Sequence, residues 1–174
     1  MRSGAIRNDI HLALQSLDGR QHDRQAFTCG VAALDNYLKH RASQEMARGT
    51  SSVYVATPDG RTIAGFFTLS QYGMARTAFP EQIAKGLPKY EFVSATLLGR
   101  LATSLAYRGQ GVGEFLLTRA VRKYCLVADQ IASSTLVVDA KDEPAARFYA
   151  RFGFEKLPDA PDRLFLPLKT AREI

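Results

Sequence analysis

The sequence is poor in the residues that bind metals and form disulfides. Its only cysteines are Cys29 and Cys125, and its three histidines combine with them in no zinc-binding spacing. We therefore expect no metal cofactor. We also expect two unpaired thiols, which are typical of a protein in the reducing cytoplasm.

Long apolar runs, internal repeats and low-complexity tracts are absent from the sequence as well. No apolar run approaches the roughly 20 residues that cross a membrane. Asp9 and His11 interrupt the short apolar patch near the start, so we expect no signal peptide. With 174 residues, 46% of them apolar, the chain can bury a sizeable core. We predict one domain over residues 1–174, with a loose tail over 1–10.

Acidic residues are fewer than basic ones. The 17 Asp and Glu residues stand against 23 Lys and Arg residues, which gives a net charge of +6. Such an excess favours an anionic partner, either a nucleic acid or a large phosphorylated ligand. An enzyme that happens to be basic fits the charge equally well, and both interpretations stay open at this point.

The spacing of apolar residues predicts a mixed α/β chain, largely antiparallel in its first half and βαβ in its second. The clearest helix begins at Gly111, because Leu117, Val121 and Tyr124 recur at helical spacing. Thr28 is the expected N-cap of the first helix. The predicted strands are 11–17, 51–56, 62–72, 92–105, 134–140, 154–156 and 163–168. The predicted helices are 29–40, a continuation or restart over 41–48, a short helix over 81–85, 111–128, and one between Asp142 and Gly153. Residues 73–91 are expected to form a long irregular connection, either a functional loop or a plain surface loop.

A glycine-rich turn joins the fourth predicted strand to the clearest helix, within the stretch LLGRLATSLAYRGQGVGEF at 97–115. Glycines let a backbone approach an anion closely, and the first N–H groups of a helix point at it, so the turn predicts a phosphate site. A Walker loop is excluded because no Lys-Ser/Thr follows the glycines. A dinucleotide fingerprint fits poorly because Glu114 stands where its third glycine belongs. An ordinary glycine-rich turn without a ligand remains an alternative.

The hexapeptide Arg108-Gly109-Gln110-Gly111-Val112-Gly113 resembles in full the R/Q-x-x-G-x-G/A pattern of the Gcn5-related N-acetyltransferase (GNAT) superfamily. The resemblance implies an α/β fold with a mixed, mainly antiparallel sheet of six to seven strands. The fourth and fifth strands splay apart, and about four helices flank the sheet. It also implies that acetyl-CoA is the acetyl donor, with its pyrophosphate on the turn. The implied cofactor-binding residues are Leu101, Ala102, Thr103, Arg108, Gly109, Gln110, Gly111, Val112, Gly113, Asp142 and Phe148. The first three match positions whose backbone pairs with the pantetheine arm, and Asp142 departs from the asparagine of many relatives.

The segment ARFYARFGF at 146–154 matches the aromatic pair that follows the fifth strand in the superfamily. By this resemblance Tyr149 is the catalytic residue, a general acid that protonates the leaving thiolate of coenzyme A. The chemistry is reasonable, because a tyrosine has an ordinary pKa near 10 and a thiol one near 8.5. A buried core tyrosine is the alternative, since Phe148 and Phe152 share its apolar helix face.

The N-terminal half resembles the acetyltransferase toxins of toxin–antitoxin pairs. The residues that carry this resemblance are Phe27-Thr28-Cys29-Gly30, Leu34-Asp35 and Tyr37-Leu38, together with LGRLA at 98–102 and the two motifs above. These toxins acetylate the α-amino group of aminoacyl-tRNA and so stop translation. Such an amine has a pKa of about 7.7–8.0, so a strong protein base is unnecessary. We find no carboxylate or histidine that is placed as one.

A tRNA acceptor would also account for the net positive charge. The candidate phosphate contacts are Lys39, Arg41, Arg48, Arg76, Lys85, Lys89 and Arg100, although each could be an ordinary surface charge. The resemblance further implies a homodimer and an antitoxin partner with a ribbon–helix–helix fold, and no membrane. Two other functions remain open: acetylation of a small amine or a protein amine, and a non-catalytic RNA-binding module.

Overall fold

A computed structural model describes residues 10–174, so the predicted loose tail lies, except for Ile10, outside the described residues. The strands are β1 Ala13–Ser16, β2 Ser52–Thr57, β3 Gly65–Ala75, β4 Phe92–Thr103, β5 Thr135–Asp139, β6 Glu155–Lys156 and β7 Arg163–Pro167. The helices are α1 Ala32–His40, α2 Ala42–Ala47, α3 Glu81–Gly86, α4 Val112–Ile131, α5 Glu143–Ala150 and α6 Leu168–Ala171. Short 3₁₀ turns follow β3 and β4.

The seven strands form one sheet in the order β1-β2-β3-β4-β5-β7-β6. Strands β4 and β5 run parallel and pair from Ala95↔Thr135 to Leu98↔Val138. The pairs β1–β2, β5–β7 and β6–β7 are antiparallel. The pairing of β4 with β5 ends at Leu98 although β4 continues to Thr103. The mixed sheet with a short β4–β5 pairing confirms the predicted fold class.

The contacts divide the chain into two units. The first contains the residues up to Phe67 and Arg100–Leu117, and the second contains Thr68–Gly99 and Thr118–Ile174. In the first unit, Phe66 is buried between Phe27, 5.5 Å away edge to face, and Tyr37, 6.2 Å away and stacked. In the second, Phe79 meets Phe165 edge to face at 5.4 Å. Apolar side chains thus hold α1 and α2 on the first unit's strands, and the segment around α3 on the second's.

Gly65, at the start of β3, shows why a small residue is needed in the first unit. A Cβ at this position would lie 2.7 Å from the Ala102 carbonyl oxygen and 2.7 Å from the Leu116 side chain. Both distances are shorter than van der Waals contact, so β3 can approach β4 and α4 this closely only at a glycine.

The predicted N-cap at Thr28 is wrong. Helix α1 begins at Ala32, its N-cap is Val31, and no side chain caps it. The Thr28 hydroxyl instead donates a hydrogen bond to Asp35 Oδ2 at 3.0 Å. The threonine therefore stabilises the chain before the helix rather than the helix terminus.

Strand β3 starts three residues later than predicted and runs three residues further. Asp59 accepts hydrogen bonds from the N–H groups of Arg61 and Thr62 and from the Thr62 hydroxyl, so the turn after β2 extends to Thr62. Because β3 continues to Ala75, the irregular connection is shorter than 73–91 and begins with a 3₁₀ turn at Arg76–Ala78. The short helix predicted within it exists as α3.

Candidate active site

The glycine-rich turn has the backbone geometry of an anion site. Gly109 and Gly111 have φ values of +73° and +80°, in the left-handed region that favours glycine. A Cβ at either position would meet nothing within 4 Å, so the backbone conformation and not crowding requires glycine. Helix α4 begins directly after Gly111, and the Phe115 N–H donates to the Gly111 carbonyl at 3.0 Å. The N–H groups of its first turn are therefore available to a phosphate.

Arg108, just before the turn, bonds back to the chain that precedes α1. Its Nη2 donates to the Cys29 carbonyl oxygen at 2.9 Å. Next to it, the Leu105 N–H donates to the Thr28 carbonyl at 2.9 Å. Two hydrogen bonds thus join the segments on either side of the first unit's core.

Leu101, Ala102 and Thr103 form the last residues of β4, beyond the final β4–β5 pair at Leu98. Ala102 is buried, and Leu101 and Thr103 are half-buried. A strand end that has left its parallel neighbour has backbone groups that an extended ligand can pair with.

Tyr149 lies on α5 in the second unit and is only 7% exposed. Its ring contacts Phe148 at 5.3 Å and Phe154 at 5.6 Å. Burial raises the pKa of Tyr149 to about 12. The phenol is therefore protonated at neutral pH, and its hydroxyl has no hydrogen-bond partner within residues 10–174.

Phe148 packs against Phe152 at 5.6 Å on the same helix, and Arg151 lies over its ring at 5.7 Å. Phe148 is half-buried and Tyr149 is buried. Both interpretations of this aromatic pair therefore keep a structural basis, because the rings serve as packing and the Tyr149 hydroxyl stays unpaired.

Asp142 is the N-cap of α5. Its Oδ1 accepts a hydrogen bond from the Ala145 N–H at 2.8 Å, and Pro144 stands in the first turn. Asparagine and aspartate are equally good N-caps, so the exchange of one for the other leaves this local structure intact. The second carboxylate oxygen is the one that could face a ligand.

The seven basic candidates differ in how they are engaged. Arg100 lies 3.5 Å above the Tyr37 ring and 3.8 Å from the Glu45 carboxylate, which also accepts from the Tyr37 hydroxyl at 2.9 Å. Burial raises the pKa of Tyr37. Arg100 is therefore part of a packed cluster of the first unit.

Lys85 pairs with Glu81 at 2.9 Å across one turn of α3, with both side chains exposed. The Arg76 Nε is buried and has no hydrogen-bond partner in the described chain. Lys39, Arg41, Arg48 and Lys89 form no ion pair with any residue from 10 to 174. Arg41, Arg48 and Lys89 are also exposed, whereas Lys39 is half-buried and its charge helps to lower the pKa of Asp35. The first three are therefore the candidates whose charge remains available.

Sequence patterns missed two clusters. Arg163 donates to both Asp139 oxygens, at 2.6 and 2.8 Å, and to the Tyr72 hydroxyl. Arg20, Arg24 and Arg61 line a cavity of about 240 Å³ in the first unit. Arg163, Asp139 and Tyr72 lie far apart in sequence, and Arg61 lies far from Arg20 and Arg24, so no local motif indicates either cluster.

Across residues 10–174, no group of His, Cys, Asp and Glu side chains could hold a metal ion. No helix of that range is long and apolar enough to span a bilayer. Both cysteines are free, and burial raises the pKa of each thiol. Neither thiol is therefore activated as a nucleophile.

Comparison with known proteins gives consistent similarities. The acetyltransferase (GNAT) domain family matches residues 49–156. A probable toxin TacT of Sinorhizobium fredii is 31% identical to this chain over 92% of it and 93% of the relative. A tRNA-acetylating toxin of Mycobacterium tuberculosis is 34% identical over 87% of this chain and 90% of the relative.

Solved structures of a toxin called AtaT are similar as well. AtaT complexed with acetyl-methionyl-tRNAfMet aligns with a TM-score of 0.85 at 27% identity, over 94% of this chain and 98% of that one. A mutant AtaT bound to the C-terminus of the antitoxin AtaR aligns with a TM-score of 0.77 at 25% identity, over 93% and 96%.

Proposed function

The chain belongs to the GNAT acetyltransferase family, and from that premise we propose that it transfers acetyl from acetyl-CoA to the α-amino group of aminoacyl-tRNA and thereby blocks translation. The observation that carries the acceptor is the 34% identity to a tRNA-acetylating toxin over most of both chains. Because the chain is an acetyltransferase, a non-catalytic RNA-binding module is no longer a competing interpretation.

The donor site is proposed at the glycine-rich turn and the end of β4. The N–H groups of Arg108–Gly113 and of the first turn of α4 would bind the pyrophosphate, supported by the left-handed Gly109 and Gly111. The backbone of Leu101–Thr103 would pair with the pantetheine arm. Phe148 and the second oxygen of Asp142 complete the proposed set.

Tyr149 is proposed as the general acid. The neutral amine attacks the thioester carbonyl, and the C–S bond breaks as the new C–N bond is completed. The thiolate then takes the Tyr149 proton, the nitrogen loses its extra proton to water, and water returns a proton to the Tyr149 phenolate. A pKa of about 12 keeps the proton on Tyr149 until the thiolate forms. Burial raises the pKa of a thiol too, which reduces the mismatch with the departing thiolate.

The acceptor needs little activation by the protein. An α-amino group has an ordinary pKa near 7.7–8.0, so a useful fraction is neutral at pH 7. The exposed Arg41, Arg48 and Lys89 are the favoured phosphate contacts. The other four candidates are not favoured, because each is half-buried or already interacts with another side chain: Lys39, Arg76, Lys85 and Arg100.

As partners we propose a cognate antitoxin and a second copy of this chain. The similarity to AtaT, which was solved bound to the C-terminus of its antitoxin AtaR, supports an antitoxin partner. A ribbon–helix–helix fold for the antitoxin, the homodimer and a cytoplasmic location come from the toxin resemblance. The cytoplasm is where charged tRNA and acetyl-CoA meet.

The deciding experiment incubates the protein with acetyl-labelled acetyl-CoA and three acceptors: charged tRNA, the same tRNA uncharged, and a panel of small amines. We expect label only on charged tRNA, and release of N-acetylated amino acid when the ester is hydrolysed. Transfer to small amines or proteins with none to charged tRNA would replace the proposed acceptor. No transfer to any acceptor would contradict the proposal as a whole.

A further inference from the structure

The segment Phe27–Gly30 before α1 is held from the α1 side by one carboxylate. Asp35 Oδ1 accepts from the Cys29 N–H at 2.8 Å, and its Oδ2 accepts from the Thr28 hydroxyl at 3.0 Å. Burial raises the pKa of Asp35, but these hydrogen bonds outweigh it and leave the pKa below its ordinary value. Asp35 is therefore an anion at neutral pH, and it fixes both polar groups that the segment turns toward α1.

The same segment is held from the other side by the residues that lead into the glycine-rich turn. The Cys29 carbonyl accepts from Arg108 Nη2, and the Thr28 carbonyl accepts from the Leu105 N–H, both at 2.9 Å. One residue, Cys29, thus contacts the Asp35 carboxylate through its N–H and the Arg108 guanidinium through its carbonyl oxygen.

Gly30 ends this segment in a left-handed backbone conformation. Its φ is +82°, a conformation that side chains rarely adopt. A Cβ there would lie 3.4 Å from Arg108 Nη2 and 3.4 Å from a Leu105 methyl group. These distances are ordinary van der Waals contacts, so the backbone conformation, and not crowding by Arg108, favours glycine at this position.

We propose that Arg108 is a positioning residue, whose guanidinium anchors the glycine-rich turn to the Asp35-held segment and is not a ligand of the acetyl-CoA phosphates. The next residue, Gly109, and then Gly111 are conformationally free, so an unanchored turn would lose much entropy on closing around a phosphate. Anchoring the residue directly before Gly109 removes part of that loss before the ligand arrives. The inference rests on the proposed donor site alone and needs no assumption about the acceptor.

The test measures acetyl-CoA binding to the full chain by calorimetry at several salt concentrations. We expect Arg108→Ala to weaken binding about tenfold, the loss of one charge-assisted hydrogen bond, with an unchanged dependence on salt. Asp35→Ala should weaken it in the same direction, and the double variant should lose less than the product of the two single losses. Arg122→Ala removes an exposed arginine of α4 and serves as the matched control, with no expected effect.

Arg108→Gln keeps a side-chain N–H donor without the charge, and we expect it to restore much of the affinity. A phosphate ligand would behave differently: Arg108→Ala and Arg108→Gln would both flatten the salt dependence, and Asp35→Ala would have no effect. That result would overturn the inference. So would full acetyl-CoA affinity in Arg108→Ala, or a double variant whose loss of affinity equals the product of the two single losses. Thermal unfolding of every variant separates loss of fold from loss of the anchored turn. If the proposed acceptor is wrong, the transfer assay shows no acetylation of charged tRNA. The binding measurements stay valid in that case, because they involve acetyl-CoA only.

Discussion

Tyr149 keeps its proton because the residue is buried, and burial disfavours the charged phenolate. In Tyr149→Phe, we expect the rate of acetyl transfer to fall by about 10²–10⁴, since a positioned general acid contributes that much. The acetyl-CoA dissociation constant should change little, because the aromatic ring and its packing remain. Full turnover in this variant would leave Tyr149 as a core residue only.

The pH profile belongs to the same prediction. With a pKa of about 12, Tyr149 does not ionise in the range in which the rate is measured, so its ionisation should not lower the rate up to about pH 11. The rate should rise as the acceptor amine, with a pKa near 7.7–8.0, loses its proton. A fall in the wild-type rate near pH 9 that Tyr149→Phe abolishes would contradict the raised pKa.

At the scale of elements, the sequence predicted what depends on local chemistry and missed what depends on distant partners. The glycine-rich turn and α4 were predictable because glycine conformation and helical periodicity are local properties. The predicted N-cap at Thr28 was wrong because the Thr28 hydroxyl donates a hydrogen bond to Asp35, seven residues further along the chain. The anchor between Arg108 and Cys29 spans 79 positions, so no spacing rule could indicate it.

Helix α5 depends on its cap at Asp142. Asp142→Ala should lower the free energy of unfolding by about 1 kcal/mol, because the Ala145 N–H loses its acceptor. Asp142→Asn retains a capping oxygen, so its free energy of unfolding should equal that of the wild type. Chemical denaturation of the three proteins measures this, and equal stability of the alanine variant would contradict the cap. Acetyl-CoA affinity measured on Asp142→Asn then reports the proposed ligand contact apart from stability.

For the whole molecule, the net charge of +6 is a weak guide until the engaged charges are separated from the free ones. Arg100 lies over Tyr37 and beside Glu45, so the fold already uses its charge. Arg41 and Arg48 flank α2, are exposed and have no ion-pair partner between residues 10 and 174. A tRNA-binding surface assigned from sequence alone therefore mixes arginines that the fold already uses with arginines that are free to bind phosphate.

This distinction predicts how tRNA binding responds to salt. Removing two phosphate contacts should lower the slope of log K against log salt concentration by about 1.4–1.8. We expect that loss for the Arg41→Ala/Arg48→Ala double variant, with a raised KM for charged tRNA, an unchanged acetyl-CoA affinity and an unchanged kcat. Arg100→Ala is the matched control, since it should lower the melting temperature by exposing the Tyr37–Glu45 pair while leaving the slope intact. If the double variant keeps the wild-type slope, or if Arg100→Ala loses it, the phosphates of the acceptor lie on a different face of the protein.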